Sequence, residues 1–397
     1  MIKSTFTLIL MTLLICCSCS DNLIETTTIA ELDSTLEKYY EDSNIPGISL
    51  MAVRGDEVNY TKDLGYANMR EGLMYDSHSV QSMGSVSKTF LAVALMKAEE
   101  LGLLDLDTDV NAYLPFKLSN PNFPKATITL QHLATHSSGI RDLEEIYLRS
   151  YYFENATDLD FESFPLLIEG DNVSIIRNNE LIDNAEFIEK VFSTSGEFFS
   201  PQLFMDKAPG TNYEYTNLGS SLTGYIIEKV SGITYEEFVI EHIANPLGME
   251  NVYWSHIDVP AELLAEKYLN RDRSIPHYHL ITKADGGLYT SLNDLSKFLI
   301  DIGEGYKGNG QLLSAESYNK MFYRYKIGKT YSGIFWEVDN EGVIKHTGSD
   351  PGTLAVVGYN PNKDLSYLLA TNCSAELEAN MVKPLKRMFK TMTNHQF

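Results

Sequence analysis

The sequence predicts a mixed α/β (α+β) fold: one antiparallel sheet, built from both ends of the chain and flanked by helices, with a helical insertion as a second lobe. Three observations predict it. Near the N-terminus two apolar runs flank a Gly-Asp turn, the pattern of a hairpin. The C-terminal third alternates short β-type runs with turn-forming stretches, the pattern of a meander. Between them lie apolar stretches too long for strands. The 397 residues, 44% hydrophobic and 21% charged, have the composition of a globular chain. At about 100–200 residues per domain, that length allows two or three domains or one large single-core enzyme.

The first residues read as an export signal rather than structure. Lys3 gives a positive start, residues 6–15 are an apolar stretch too short to span comfortably, and Cys16, Cys17, Ser18 and Cys19 follow. This layout resembles a bacterial lipoprotein signal. It implies a signal peptide over 1–18, Cys19 as the acylated first residue, and a polar tether over 19–29. Leu14-Ile15-Cys16-Cys17 is a rival processing site. The expectation is a cell-envelope protein, periplasmic or surface-exposed, that meets the membrane through a lipid anchor. Three of the four cysteines lie at 16, 17 and 19, so Cys373 is the one cysteine in the rest of the chain. No internal disulfide and no structural Cys-type zinc site is expected.

The remaining domain, 30–397, is read in order. Residues 30–40 have helical periodicity, and the runs 48–53 and 58–63 flank Arg54-Gly55-Asp56-Glu57 as a hairpin. Ser85 opens an apolar stretch, Phe90-Leu91-Ala92-Val93-Ala94-Leu95-Met96, that reads as a buried helix closed by Gly102. Residues 141–207 are irregular, acidic and rich in aromatics; helices return at 220–230 and 235–243. Strands follow at 332–338, 343–347, 354–359 and 365–371, separated by turn-forming stretches such as Asp339-Asn340-Glu341-Gly342 and Asn360-Pro361-Asn362-Lys363, and a helix at 376–392 ends the chain. The cleft between the lobes is the expected site. With 31 Lys+Arg against 54 Asp+Glu the net charge is −23, which disfavours a nucleic-acid partner and does nothing to draw in an anionic substrate.

Three stretches can carry chemistry. In Ser85-Val86-Ser87-Lys88 the two reactive side chains stand nearly one helical turn apart on one face. A lysine at the mouth of a buried helix is partly desolvated, which lowers its pKa and makes it a base for the serine. The helix start also offers backbone N–H groups to an oxyanion. Ser317-Tyr318-Asn319-Lys320 repeats the spacing without a Gly before it or a buried helix after. Tyr215-Thr216-Asn217 can relay protons if an ammonium lowers the phenol's pKa, while the amide holds a substrate carbonyl. Tyr66-Ala67-Asn68 and Tyr268-Leu269-Asn270 share that pattern; the Pro209-Gly210-Thr211 before Tyr215 and the helix after Leu218-Gly219 set it apart. In His346-Thr347-Gly348-Ser349, at a strand end, the glycine lets a substrate backbone approach as an added strand, with Ser349 N–H as a second oxyanion donor.

Ser-x-x-Lys, Tyr-x-Asn and His-Thr-Gly in this order resemble the penicillin-recognising serine hydrolases: class C β-lactamases, D-alanyl-D-alanine carboxypeptidases, D-aminopeptidases and related esterases. The phrases Ile128-Thr129-Leu130-Gln131-His132-Leu133-Ala134-Thr135-His136-Ser137-Ser138-Gly139 and Gly286-Gly287-Leu288-Tyr289-Thr290-Ser291-Leu292-Asn293-Asp294-Leu295 agree. The resemblance runs from about Ala30 to the C-terminus and implies a β-lactamase/transpeptidase-like fold. It makes Ser85 the acylated nucleophile, Lys88 and Tyr215 the proton handlers and Asn217 a substrate contact. His346 and Thr347 line a third wall, and the N–H groups of Ser85 and Ser349 form the oxyanion hole. No cofactor is implied, and the partner is a small-molecule or peptide substrate. His346 departs from the lysine usual in class C β-lactamases; a histidine is charged only in part near pH 7, and Lys345, one residue early, faces the other side of a strand. The histidine form looks more like the peptidase and esterase branches. A D-residue peptide is the preferred substrate, an ester next and a β-lactam third.

Two rivals remain. His132 and His136 have the i, i+4 spacing of zinc ligands, with His277 or His279 as a third, but the metalloprotease pattern needs Glu where Leu133 stands. No metal is expected. The other rival is an idle wall-binding lipoprotein that keeps the fold without the activity.

Overall fold

In the computed structural model, which describes residues 24–154, 156, 172–374 and 378–397, Thr28 caps the first helix. Its hydroxyl accepts from Glu31 N at 3.2 Å, and Glu31 accepts from Thr28 N at 3.1 Å, a reciprocal box that satisfies two orphan donors. The predicted signal peptide and Cys19 lie outside the described residues, as do residues 155 and 157–171 of the acidic stretch. Five helices carry most of the argument: α1 (Ile29–Glu41), α2 (Ser87–Glu100), α3 (Asn217–Ser231), α4 (Leu292–Tyr306) and α5 (Ala379–Asn394).

The strands are β1 (Gly47–Arg54), β2 (Glu57–Asn68), β3 (Leu73–Met74), β4 (Glu337–Val338), β5 (Ile344–Asp350), β6 (Thr353–Asn360) and β7 (Leu365–Thr371). Among the described residues they form one antiparallel sheet in the order β4-β5-β6-β7-β1-β2-β3. Leu50 faces Leu369 and Met51 faces Leu368, so the N-terminal hairpin and the C-terminal meander meet at one seam. Side chains alternate across it as the pleat requires. Ile48, Leu50 and Ala52 pack with Leu36 of α1 and Leu385 and Met388 of α5, whereas Met51 and Val53 join Phe90 of α2 and Phe298 and Leu299 of α4. With both faces covered, β1, β6 and β7 read in sequence as largely apolar runs, whereas β2 is only partly covered and more polar.

Helix α2 is buried along most of its length, with Phe90 stacked 4.1 Å from Phe298. The same core takes in Leu133, Ile188 and Leu222 of the helical lobe. Helix α2 is therefore the wall between sheet and lobe, and its N-terminal end opens at their boundary. No helix among the described residues is long and apolar enough to cross a membrane.

Three elements differ from expectation. The helix read from Ser85 begins at Ser87, after a 3₁₀ turn at Gly84–Val86, which leaves Ser85 partly exposed on the turn. The strand expected at 332–338 is broken: Thr330–Ser332 pairs with Tyr325–Ile327, and only Glu337–Val338 joins the large sheet. Between them Phe335 takes φ 52° and donates its N–H to Ala134 O at 2.8 Å, so a bond to the helical lobe replaces the ladder. The irregular stretch contains a helix, Asn184–Phe192, capped by Asp183, that buries Phe187, Ile188, Val191 and Phe192.

Candidate active site

The site is built where β5 crosses the Ser85 turn. Gly84 has φ 50°, and a Cβ on it would stand 3.1 Å from Ser349 N. A Cβ on Gly348 would run into the Met83 carbonyl oxygen and lie 2.9 Å from Val86 N. Two glycines thus let backbone touch backbone, which sets the Ser349 main chain beside Ser85.

Lys88, one turn further on, is fully buried. Its Nζ reaches Ser85 Oγ at 3.1 Å, Asn217 Oδ1 at 2.7 Å and the Asp285 main-chain oxygen at 2.6 Å. When the amine is neutral, the two shorter bonds occupy its N–H groups and the lone pair is left facing the Ser85 hydroxyl. Burial pushes Lys88 down to about 8, against the carboxylates of Asp285, Asp142 and Asp350. A base in that range is partly free at neutral pH.

Asn217 opens α3. Asp142 fixes that helix start by accepting from Thr216 Oγ1 at 2.7 Å, Asn217 N at 2.8 Å and Leu218 N at 3.0 Å. With its oxygen on Lys88, Asn217 has an amide N–H group left for another acceptor. Sequence reasoning missed Asp142; the one available signal is its place just after the Ser137-Ser138-Gly139 phrase.

Tyr215 lies with its ring 4.9 Å from Lys88 Nζ. The expected lowering of its pKa by that ammonium is not found. Burial holds the phenol well above its usual value, with Ser85 beside it pulling the other way. Its Oη is buried and makes no hydrogen bond of normal geometry. The ring rests on His136, 4.5 Å away, whose Nδ1 accepts from Thr216 N at 3.3 Å.

His346 is buried on β5, 6.4 Å from the Tyr215 ring, and its Nδ1 bonds the Thr347 carbonyl at 2.7 Å. Burial, reinforced by Lys88, pushes it down to about 3, so it is neutral at pH 7 rather than partly charged. Lys345 faces the opposite side, as strand alternation requires, 3.8 Å from Glu337.

The structure therefore brings Ser85, Lys88, Tyr215, Asn217 and the 346–349 strand together. The look-alike motifs fall elsewhere. Lys320 pairs with Glu99 at 2.7 Å, and Ser317 lies on the helix Ala315–Phe322 that Ser314 caps. Tyr268 Oη accepts from Met69 N, and Tyr66 is exposed on β2. His132 caps its own helix through Thr129 N, while His277 and His279 stack around His256 at 4.9 and 4.8 Å. Among the described residues no three His, Cys, Asp or Glu side chains are placed to share a metal ion.

Residues 32–387 match the Beta-lactamase family model. Penicillin-binding protein 4* of Bacillus subtilis (strain 168) is 24% identical over 360 residues, covering 84% of this chain and 70% of that protein. The octameric penicillin-binding protein homologue from Pyrococcus abyssi superposes with a TM-score of 0.70 and 26% identity, over 90% of this chain and 77% of that one. The D-amino acid amidase from Ochrobactrum anthropi SV3, solved with D-phenylalanine, shares the fold with a TM-score of 0.66 and 18% identity, over 91% and 98% of the two chains.

Proposed function

This chain belongs to the Beta-lactamase family of serine hydrolases, and we propose that it forms an acyl-enzyme on Ser85 with an amide or ester whose acyl side carries a D-residue. The observation that carries the reading is the buried Lys88 amine, 3.1 Å from Ser85 Oγ and held at about 8. Lys88 takes the hydroxyl proton as Ser85 attacks. Tyr215, neutral because burial raises its pKa, passes a proton toward the leaving group rather than acting as an anionic base. The N–H groups of Ser85 and Ser349 receive the oxyanion, Asn217 holds a substrate carbonyl, and the 346–349 strand lines the third wall with His346, Thr347 and Gly348. Water then releases the acyl group.

Charge guides the choice of substrate. His346 is neutral, Lys345 faces Glu337, and Lys267 is occupied with Pro351 O and the Tyr278 ring. With those groups so placed and three carboxyls around Lys88, a substrate carboxylate finds little welcome. A D-aminoacyl amide or ester fits better than a carboxypeptidase substrate or a β-lactam. The D-phenylalanine in the amidase neighbour supports that order. Acylation of Cys19 is proposed as the membrane anchor, giving a cell-envelope enzyme.

The test follows intact protein mass and product release with a D-aminoacyl amide, the matching ester and a penicillin. Release of the amine or alcohol by the wild type, abolished in Ser85→Ala, is expected. A wild-type rate in Ser85→Ala removes the mechanism, and rapid penicillin hydrolysis makes the enzyme a β-lactamase instead.

A further inference from the structure

Asp285 immediately precedes the Gly286-Gly287 phrase, on the short helix Lys283–Gly286, and its main-chain oxygen holds Lys88 Nζ at 2.6 Å. Any residue supplies a carbonyl, so that contact does not explain an acidic side chain. Yet the carboxyl is carried into the interior, 1% exposed, where a charge is costly unless compensated. Oδ2 accepts from Tyr147 Oη at 2.7 Å, while Oδ1 and the neighbouring Thr282 hydroxyl make no hydrogen bond of normal geometry. The positive group it faces is Lys88.

We propose that Asp285 is a positioning residue for Lys88: its carbonyl aims the amine at Ser85, and its sealed carboxyl supplies the negative charge that governs when Lys88 gives up its proton. The inference rests on the acyl-enzyme reading above. Burial pushes Asp285 up to about 6, with Lys88, Tyr147 and Thr282 pulling it down and Asp142 pushing it up. Tyr215 at the start of α3, Tyr235 on the helix Tyr235–Val239, and Tyr151 also feel its charge. Lys88 itself faces Asp142 and Asp350 besides Asp285, and the neutral His136 and His346. From about pH 6 upward Asp285 is ionised and holds the proton on Lys88; below that it protonates and its hold lapses.

The experiment reads fluorophosphonate labelling of Ser85 against pH. In that step the Ser85 oxygen bonds phosphorus, fluoride leaves, and the hydroxyl proton passes to Lys88. In Asp285→Asn the acid limb is expected to move down by about one pH unit, making labelling roughly fivefold faster at pH 7. The gap should close below about pH 6, where the wild-type carboxyl is itself protonated. A side chain with only a structural role would lower the rate at every pH and leave the midpoint in place, which would overturn the proposal. Should Asp285→Asn fail to fold, Tyr147→Phe carries the same test. Losing that donor raises Asp285's pKa, so labelling near pH 6.5 should quicken by about twofold; an unchanged profile refutes the role. A wild-type protein never labelled at Ser85 sinks the acyl-enzyme reading itself, and the inference with it.

Discussion

Replacing Gly348 with alanine adds one methyl group where β5 meets the Ser85 turn. The new Cβ would lie 2.9 Å from Val86 N, 3.0 Å from Met83 C and closer still to Met83 O. All three are main-chain atoms, so no side chain can swing aside, and the strand must retreat by on the order of 1 Å to restore van der Waals contact. The Ser349 N–H moves with it. An oxyanion donor works at about 2.7–3.1 Å from the oxyanion, and losing one costs about 2.7–4 kcal/mol, or roughly 10²–10³ in kcat. Stability should suffer less, because β5 stays paired to β6 from Ile344 to Asp350 and overpacking typically costs about 1–3 kcal/mol. The assay is ester turnover and fluorophosphonate labelling, with the urea midpoint measured alongside. A folded Gly348→Ala variant with activity within a few-fold of wild type would refute the argument that this strand supplies the second oxyanion donor.

The wild-type rate should depend on the Lys88 proton. Because burial lowers the folded pKa from 10.5 to about 8, kcat/KM should rise through pH 8 and fall below it, by less than about tenfold per unit down to about pH 6, where Asp285 gives up its hold on the Lys88 proton; a flat profile between about pH 6 and 9 would remove Lys88 as the base. Asp142→Ala strips the acceptor from three donors at the start of α3. A loss of about 2–4 kcal/mol in urea unfolding is expected. Above about pH 9, where Lys88 is neutral with or without the Asp142 charge, labelling of Ser85 should slow by more than about tenfold as Asn217 loses its anchor; an unchanged labelling rate there would mean Asn217 is held without Asp142.

The sheet was legible because its signal is local. Val53 and Val58 around a Gly-Asp turn, and Leu365 to Thr371 as one apolar run, each reveal a strand without reference to the rest of the chain. The broken strand near Phe335 was not legible, since its backbone answers to Ala134, some two hundred residues earlier. The reactive side chains were legible for a related reason. Ser85 and Lys88 sit three residues apart, and their spacing on a helical turn already places one beside the other. The contact of Lys88 with Asn217, 129 residues away, could be expected only from the order of the motifs.

What no motif carries is the electrostatic setting, and that setting decides whether the motif works. The same lysine would be a poor base if it kept the ordinary pKa of about 10.4, and a loosely placed one if nothing fixed its hydrogens. Here burial lowers the pKa while three carboxyls, from positions 142, 285 and 350, limit the fall. These acids come from three separate segments. Two of them have first duties elsewhere: Asp142 caps α3, and Asp350 accepts from Tyr151 and Tyr278 at 2.6 and 2.8 Å. Asp285 alone joins Lys88 by its backbone as well as by its charge. The same folding that excludes water from Lys88 leaves His346 neutral, so a residue that could be read from sequence as partly cationic lines the third wall without charge. Base strength and substrate charge preference therefore have one cause, the closure of the helical lobe over the end of α2. A substitution that opens that closure should raise the Lys88 pKa and let His346 take up charge together.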